Sequence, residues 1–263
     1  MFADILSNLL NGFVISLILF GIAWYPSVKF KNGALADIIW SFGFFILGVF
    51  YCFAEEGWLV RKFVLLSMIS LWSLRLGIYL ARRTIKHLDR EDSRYKHLRE
   101  SNNLPPALYF LWIFFCQALL QASLTIPFVV SAMDSYESLR IVELVAVGLF
   151  IPAFILEMTA DKQLEEFKRK PENKGGICKV GLWRYSRHPN YFFEWLIWIS
   201  FCLFSISSPG GVFSLYSPLV MLIMLHFVSG VGISEEVSLK SRGEAYRQYQ
   251  KETSAFFPWF PKG

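Results

Sequence analysis

A chain of 263 residues that is 54% hydrophobic, holds 26 Phe and 9 Trp and has a mean hydropathy of +0.41 is excluded from the ordinary soluble class. Its apolar runs are long enough for helices that satisfy their own backbone in hydrocarbon, so the expected fold is all-α and polytopic in a membrane. The net charge of +5 gathers in alternate loops, which makes it a signal of topology and gives no ground for nucleic acid as a partner.

Spans are predicted near residues 5–24, 36–53, 60–82, 107–130, 140–158, 190–207 and 212–232, seven in one domain over 1–263. The first run lacks a basic leader and a small-residue cleavage site and reads as a retained span. Lys29 and Lys31 follow it; further basic clusters follow the third and fifth spans and fill the tail. The intervening loops hold only Arg61, Lys62 and Arg140. The positive-inside rule then puts the N-terminus outside and the C-terminus in the cytoplasm. Cys52, Cys116, Cys178 and Cys202 are too scattered for a disulfide framework or a metal site.

Asp37 opens the second span, either as a helix cap or as a carboxylate facing a cavity between helices. In the third span Trp72, Arg75, Tyr79 and Arg82 share a face. An arginine as deep as Arg75 must snorkel, pair or line a wet cavity, whereas Arg83 reaches the surface easily. The following loop mixes charges, as a solvated face does, and its Tyr95, between Arg94 and Lys96, is placed to stack on or hydrogen-bond a ligand. In the fourth span Gln117 and Gln121, one turn apart, are expected to bond between helices.

The fifth span continues into EMTADKQLEEFKRK and is stopped by Pro171 and the Gly175 and Gly176 pair. Glu157, Asp161 and Lys168 fall within about 40° of one another on this helix. That face offers carboxylates to ribose or amide groups and a lysine to phosphate; an ordinary amphipathic helix end is the simpler alternative. The stretch GLWRYSRHPNYFFEW, Gly181 to Trp195, starts a helix near Pro189. Its first-turn N–H groups form an anion site, with Arg184, Arg187 and His188 just upstream and Asn190 and Glu194 on one face. A juxtamembrane basic turn is the plain alternative, against which stands the cost of a Glu194 carboxylate one turn inside the bilayer. Ser234 to Lys251 reads as a helix-turn-helix bearing Glu235, Glu236, Tyr246 and Tyr249, and the FFPWF tail is expected to dock at the interface. Segments 157–190 and 234–263 are thus expected to be cytoplasmic and to face a cofactor.

LWSLRLGIYLARR with EDSRYKHLR, then GLWRYSRHPNYFFEW, then the Glu235 and Glu236 pair with EAYRQYQ and FFPWF, resemble the DUF1295-type integral membrane proteins of bacteria, which are related to the C-terminal domain of steroid 5α-reductases. The resemblance spans about residues 35–260; the HPNY segment is shared with sterol C14-reductases and isoprenylcysteine carboxyl methyltransferases. It implies a seven-helix membrane reductase that binds NADPH from the cytoplasm and takes a lipophilic enone from the bilayer; membrane lipids are the other expected partners, and a bacterial inner membrane is the expected location. By matching position, Asp161, Lys168, Asn190, Glu194, Arg75 and Tyr79 would lie on the cofactor. Arg83, Arg94, Tyr95, Arg184, Tyr185, Arg187, His188, Tyr191, Glu235 and Glu236 complete the expected set. Hydride would pass to the β-carbon of the enone while an acid polarises its carbonyl.

The steroid reductases resemble one another in a Gln-Glu pair on the second span and a Tyr on the third. Here the second span offers Asp37, the Tyr position is Trp72, and Phe193 stands where the nearest group commonly has Gly. Asp37 or Tyr79 is therefore the expected acid. No Gly-x-Gly-x-x-Gly loop is present, which excludes a Rossmann site, and the abundant cations favour NADPH over NADH. An S-adenosylmethionine-dependent lipid carboxyl methyltransferase using the HPNY segment with Glu235 and Glu236 is the alternative enzyme. A lipid-binding protein without turnover is the third reading.

Overall fold

The structure is a computed structural model that describes residues 1–86, 88, 95–96, 103–228 and 230–262. Among the described residues there are nine α-helices: α1 (Phe2–Phe30), α2 (Leu35–Ala54), α3 (Leu59–Lys86), α4 (Pro106–Leu124), α5 (Ile126–Met133), α6 (Ile141–Arg169), α7 (Pro189–Ser205), α8 (Tyr216–Ile223) and α9 (Val231–Glu252). Among the described residues no strand occurs, only a lone bridge between Ser186 and Ser254. Among the described residues six helical stretches are long and apolar enough to cross a membrane. The seventh predicted span, α7, has 17 residues, the lower limit for crossing the hydrocarbon. The chain divides into two compact units, Met1–Val145 with Phe201–Ser217 and Ala146–Ser200 with Pro218–Gly263.

In the first unit α1 is built inside out. Its buried stripe is Ile5, Asn8, Gly12, Ser16, Phe20, Ala23 and Ser27, mostly small or polar, while Leu6, Leu10, Val14, Ile18 and Ile22 are exposed. Such a pattern suits helices that pack through small and hydrogen-bonding residues and turn their large apolar side chains to lipid. Gln121 on α4 ties three helices, accepting from Ser16 Oγ at 2.8 Å and donating to the Trp40 carbonyl at 2.8 Å. The interhelical role expected of it is thus present. Trp72, where the resemblance places a tyrosine, is fully buried and packs against Phe44 and Phe201.

Two predicted spans are interrupted. The run expected over 107–130 breaks at Thr125, because Pro127 has no N–H to continue the ladder of α4, and Thr125 Oγ1 instead meets Tyr51 Oη at 3.0 Å. The last span passes from α8 through a π turn, Met224–Val228, before α9 starts at Val231. Within α9 the backbone of Gly243 is non-helical (φ 55°, ψ −128°), which makes the expected helix-turn-helix of the tail. The run of α6 into its charged extension ends at Arg169, before a 3-10 turn at Pro171–Asn173, as predicted.

Candidate functional site

The second unit gathers most of the predicted polar residues. Gly181 starts a 3-10 turn, Gly181–Arg184, in a left-handed conformation (φ 54°), and a Cβ there would lie 2.2 Å from Gln163 Nε2 on α6. That close approach lets Leu182 N–H donate to Gln163 Oε1 at 2.9 Å and Trp183 Nε1 donate to the Ala160 carbonyl at 2.9 Å. The turn is thereby pinned to α6, and Pro189 opens α7 five residues later. Gly181→Ala is expected to cost about 1–2 kcal/mol from backbone conformation alone, plus displacement of Gln163. Thermal unfolding in detergent checks this, with Gly175→Ala as the positive-φ control, since a Cβ there meets nothing within 4 Å.

With α6 and α7 so fixed, Glu157, Asp161 and Glu194 are all buried. Asn190 Nδ2 donates to Asp161 Oδ1 at 3.2 Å, and Trp198 Nε1 donates to Glu194 Oε1 at 3.0 Å. Asn190 Oδ1 is buried and accepts no hydrogen bond among the described residues. Lys168, two turns beyond Asp161, is exposed, as is Arg184. Tyr191 stacks on His188 with centroids 5.4 Å apart and rings 4° from parallel.

Arg187 has a different place from Lys168 and Arg184. Its Nε donates to Glu235 Oε1 at 2.6 Å, and its Nη1 donates to the carbonyls of Gln250 (3.1 Å) and Thr253. Its backbone N–H donates to the Ser254 carbonyl at 2.8 Å. The guanidinium expected to hold phosphate is thus a buried clasp between the HPNY turn and the C-terminal segment. Gln250 Nε2 donates to the other oxygen of Glu235 at 2.8 Å. His188 Nε2 lies 3.4 Å from Glu235 Oε1. Burial above all holds the imidazole below its ordinary pKa, against the opposing pull of Glu235.

The tail closes over the same turn. Tyr249 Oη donates to the Trp183 carbonyl, Trp259 N–H to the Tyr185 carbonyl at 2.9 Å, and Ser186 Oγ to the Phe256 carbonyl at 2.9 Å. Phe256 is buried among Phe192, Trp195 and His226, while Phe257, Trp259 and Phe260 are exposed, as an interfacial tail requires. Tyr185 packs on Phe260. Glu236 is exposed and pairs with Lys240 at 2.7 Å.

The remaining predicted residues lie in the first unit. Asp37 is in the first turn of α2 but does not cap it. Its Oδ1 accepts from Tyr95 Oη at 2.5 Å, and Gln117 Nε2 reaches that hydroxyl at 3.4 Å. Asp37 is thus engaged by a side chain and is not the cap of its helix. Arg75 and Tyr79 are half-buried, with Arg75 Nε and Nη2 shielded from solvent, and Arg83 is exposed. Arg94 lies outside the described residues.

One polar centre escaped the sequence reading. Arg61 at the start of α3 is 0% exposed, and so is Glu143 at the start of α6. Arg61 Nε donates to Glu143 Oε1 at 2.6 Å, and its other nitrogens donate to the carbonyls of Asp134, Tyr136 and Ser138. Arg140 Nη1 bonds Asp134 Oδ2 at 2.6 Å. Counting these basic residues as topology hid the two acids that answer them, Asp134 and Glu143, close by in sequence to Arg140.

Helices long and apolar enough to cross a membrane, among the described residues, define an integral membrane protein, and the carboxylates of Glu157, Asp161 and Glu194 are buried in it. The chain belongs to the DUF1295 family, described as proteins of unknown function, whose model matches residues 23–253. It is also 26% identical to an uncharacterised protein of Schizosaccharomyces pombe over 288 residues, covering 98% of this chain and 82% of that one.

Proposed function

We propose that this protein is an NADPH-dependent reductase of the C=C bond of a lipophilic α,β-unsaturated carbonyl. The observation that carries the reading is the row of Glu157, Asp161, Asn190 and Glu194. An amide oxygen buried without a donor suits a ligand that brings its own N–H or O–H groups, as a carboxamide or a ribose does. Lys168 and Arg184 are the exposed cations that would hold phosphates. When bound, the reduced nicotinamide supplies a hydride to the β-carbon. The chain's own contribution is to fix the carboxamide through Asn190 and to provide the proton that ends on the α-carbon. The donor is assigned to Asp37, which would have to carry the proton itself when it hands it on, with Tyr95 Oη positioning its carboxyl at 2.5 Å; Tyr79 is the other candidate donor. The membrane in question is taken to be a bacterial inner membrane with the cofactor on its cytoplasmic side.

The reading is tested by titrating the detergent-purified protein with NADPH, NADH and S-adenosylmethionine, following Trp fluorescence. The expected result is NADPH binding that Lys168→Ala weakens about tenfold, the loss of one charged hydrogen bond, and that Asp161→Asn also weakens. Asp37→Asn is expected to leave binding intact and to abolish turnover of enones. Binding of S-adenosylmethionine alone overturns the reading. That second cofactor carries no phosphate, and the commitment of Arg187 to Glu235 is the observation in its favour.

A further inference from the structure

Gln117 and Gln121 lie one turn apart on α4, yet they are partnered differently. Gln121 is wholly buried, and both ends of its amide are met, by Ser16 on α1 and by the Trp40 carbonyl on α2. Such an amide ties helices together. Gln117 Nε2 instead reaches the Tyr95 hydroxyl at 3.4 Å, and its Oε1, shielded from solvent, accepts no hydrogen bond among the described residues. An acceptor left unmet in the interior is unfavourable, which marks this amide as kept for its N–H end.

The direction of that N–H decides the direction of the next bond. Tyr95 Oη lies 2.5 Å from Asp37 Oδ1, and when the carboxyl is neutral a proton can be given across this contact from either side. A phenol oxygen that already takes the Gln117 N–H is a poor acceptor for a second donor, so it gives its own proton to Asp37 Oδ1. The acid proton of a neutral Asp37 is then left to the other carboxyl oxygen. Without Gln117 the short contact can reverse, with Asp37 donating its proton to Tyr95. The buried Tyr95 ring is itself set in place by Gly33, where a Cβ would lie 2.6 Å from Tyr95 Cδ1.

We infer that Gln117 is the positioning residue of the acid: it sets a one-way chain, Gln117 N–H to Tyr95 O–H to Asp37, that keeps the transferable proton from being given to Tyr95. This rests on the reductase reading, in which the enone takes one hydride at its β-carbon and one proton from Asp37, and the carboxylate left behind is reprotonated from water. Gln117 itself touches no reacting atom.

Two measurements test it: enone turnover with NADPH, and ultraviolet resonance Raman of the Tyr95 ring, isolated by difference from Tyr95→Phe. Gln117→Met keeps the length of the side chain without its N–H. Its kcat should fall about tenfold, the loss of one hydrogen bond, with NADPH affinity and the KM of the enone unchanged and the solvent deuterium isotope effect on kcat increased. The Tyr95 doublet, which reports whether the hydroxyl donates or accepts, should change in the same variant. Gln117→His returns an N–H and should restore rate and doublet in part. Gly33→Ala, which displaces Tyr95 from the other side, should reproduce the kinetic pattern with Gln117 intact. Gln121→Met is the control and should lower the unfolding temperature while leaving the isotope effect alone. A Tyr95 doublet or a kcat unchanged in Gln117→Met overturns the inference. So does an equal loss in Gln121→Met, because Gln117 would then be a second tie between helices. Absence of enone turnover in the wild type falls on the reductase reading alone, and the Raman comparison then still decides whether Gln117 directs the Tyr95 bond.

Discussion

Replacing Arg61 by Leu is expected to lower stability by about 3–5 kcal/mol, the effect of breaking a fully buried ion pair. The cost lies in what is left behind. Glu143, wholly buried, loses the guanidinium 2.6 Å away, and the carbonyls of Asp134, Tyr136 and Ser138 lose their donors together. Arg61→Lys keeps the charge but lacks the fork that reaches all of these groups, so its deficit should be intermediate. Thermal unfolding in detergent decides the matter, with exposed Arg169→Leu as the control. A deficit no larger than that control's would mean the cluster holds nothing together.

The same cluster should make the protein sensitive to acid. Burial pushes the Asp134 carboxyl up, but bonds from Arg140 and the Tyr136 N–H, with the nearby Arg61, hold it below its ordinary value of 3.8. A depressed folded pKa means that this stabilisation is complete above that value and is lost as pH falls through the lower folded one.

The helices were legible in the sequence because hydrocarbon allows the backbone few alternatives, so apolar length alone places most of α1 to α7. Thr125 and the π turn at Met224–Val228 were not legible, since each is marked by a single polar residue, Thr125 or His226, inside a run that stays apolar on both sides. Only Pro127 carried a signal for the first of them. Within the site, the resemblance implied only that Asp161 and Asn190 face one cofactor, and their hydrogen bond to each other came from the structure. The Arg61 and Arg187 clasps could not, because each answers an acid far along the chain, Glu143 and Glu235, by packing that no local spacing encodes. An arginine just upstream of a helix start suits a phosphate ligand and a structural clasp equally well. Only its partners distinguish the two.

Arg187→Ala is accordingly expected to act first on stability, by about 3 kcal/mol, at the lower end for a broken buried pair because Glu235 keeps 15% exposure. The C-terminal segment loses the donors to Gln250 and Thr253, so cleavage near Trp259 and Phe260 by added protease should accelerate. At a temperature where both proteins remain folded, NADPH affinity should fall with Arg184→Ala and change little with Arg187→Ala, the reverse of their order in stability. The deficit should also shrink as pH is lowered from about 8 to 6. His188 is kept below its ordinary pKa of 6.5 chiefly by burial, and Arg187 beside it acts in the same direction. Its contribution in the wild type is therefore complete above pH 6.5 and is lost as pH falls through the depressed folded pKa. In the variant that neighbouring cation is gone, and a protonated His188, 3.4 Å from Glu235, supplies the missing positive charge. Unfolding temperatures of both proteins across that range measure the effect. A deficit that stays constant with pH and matches that of Arg184→Ala would return Arg187 to the role of a surface cation.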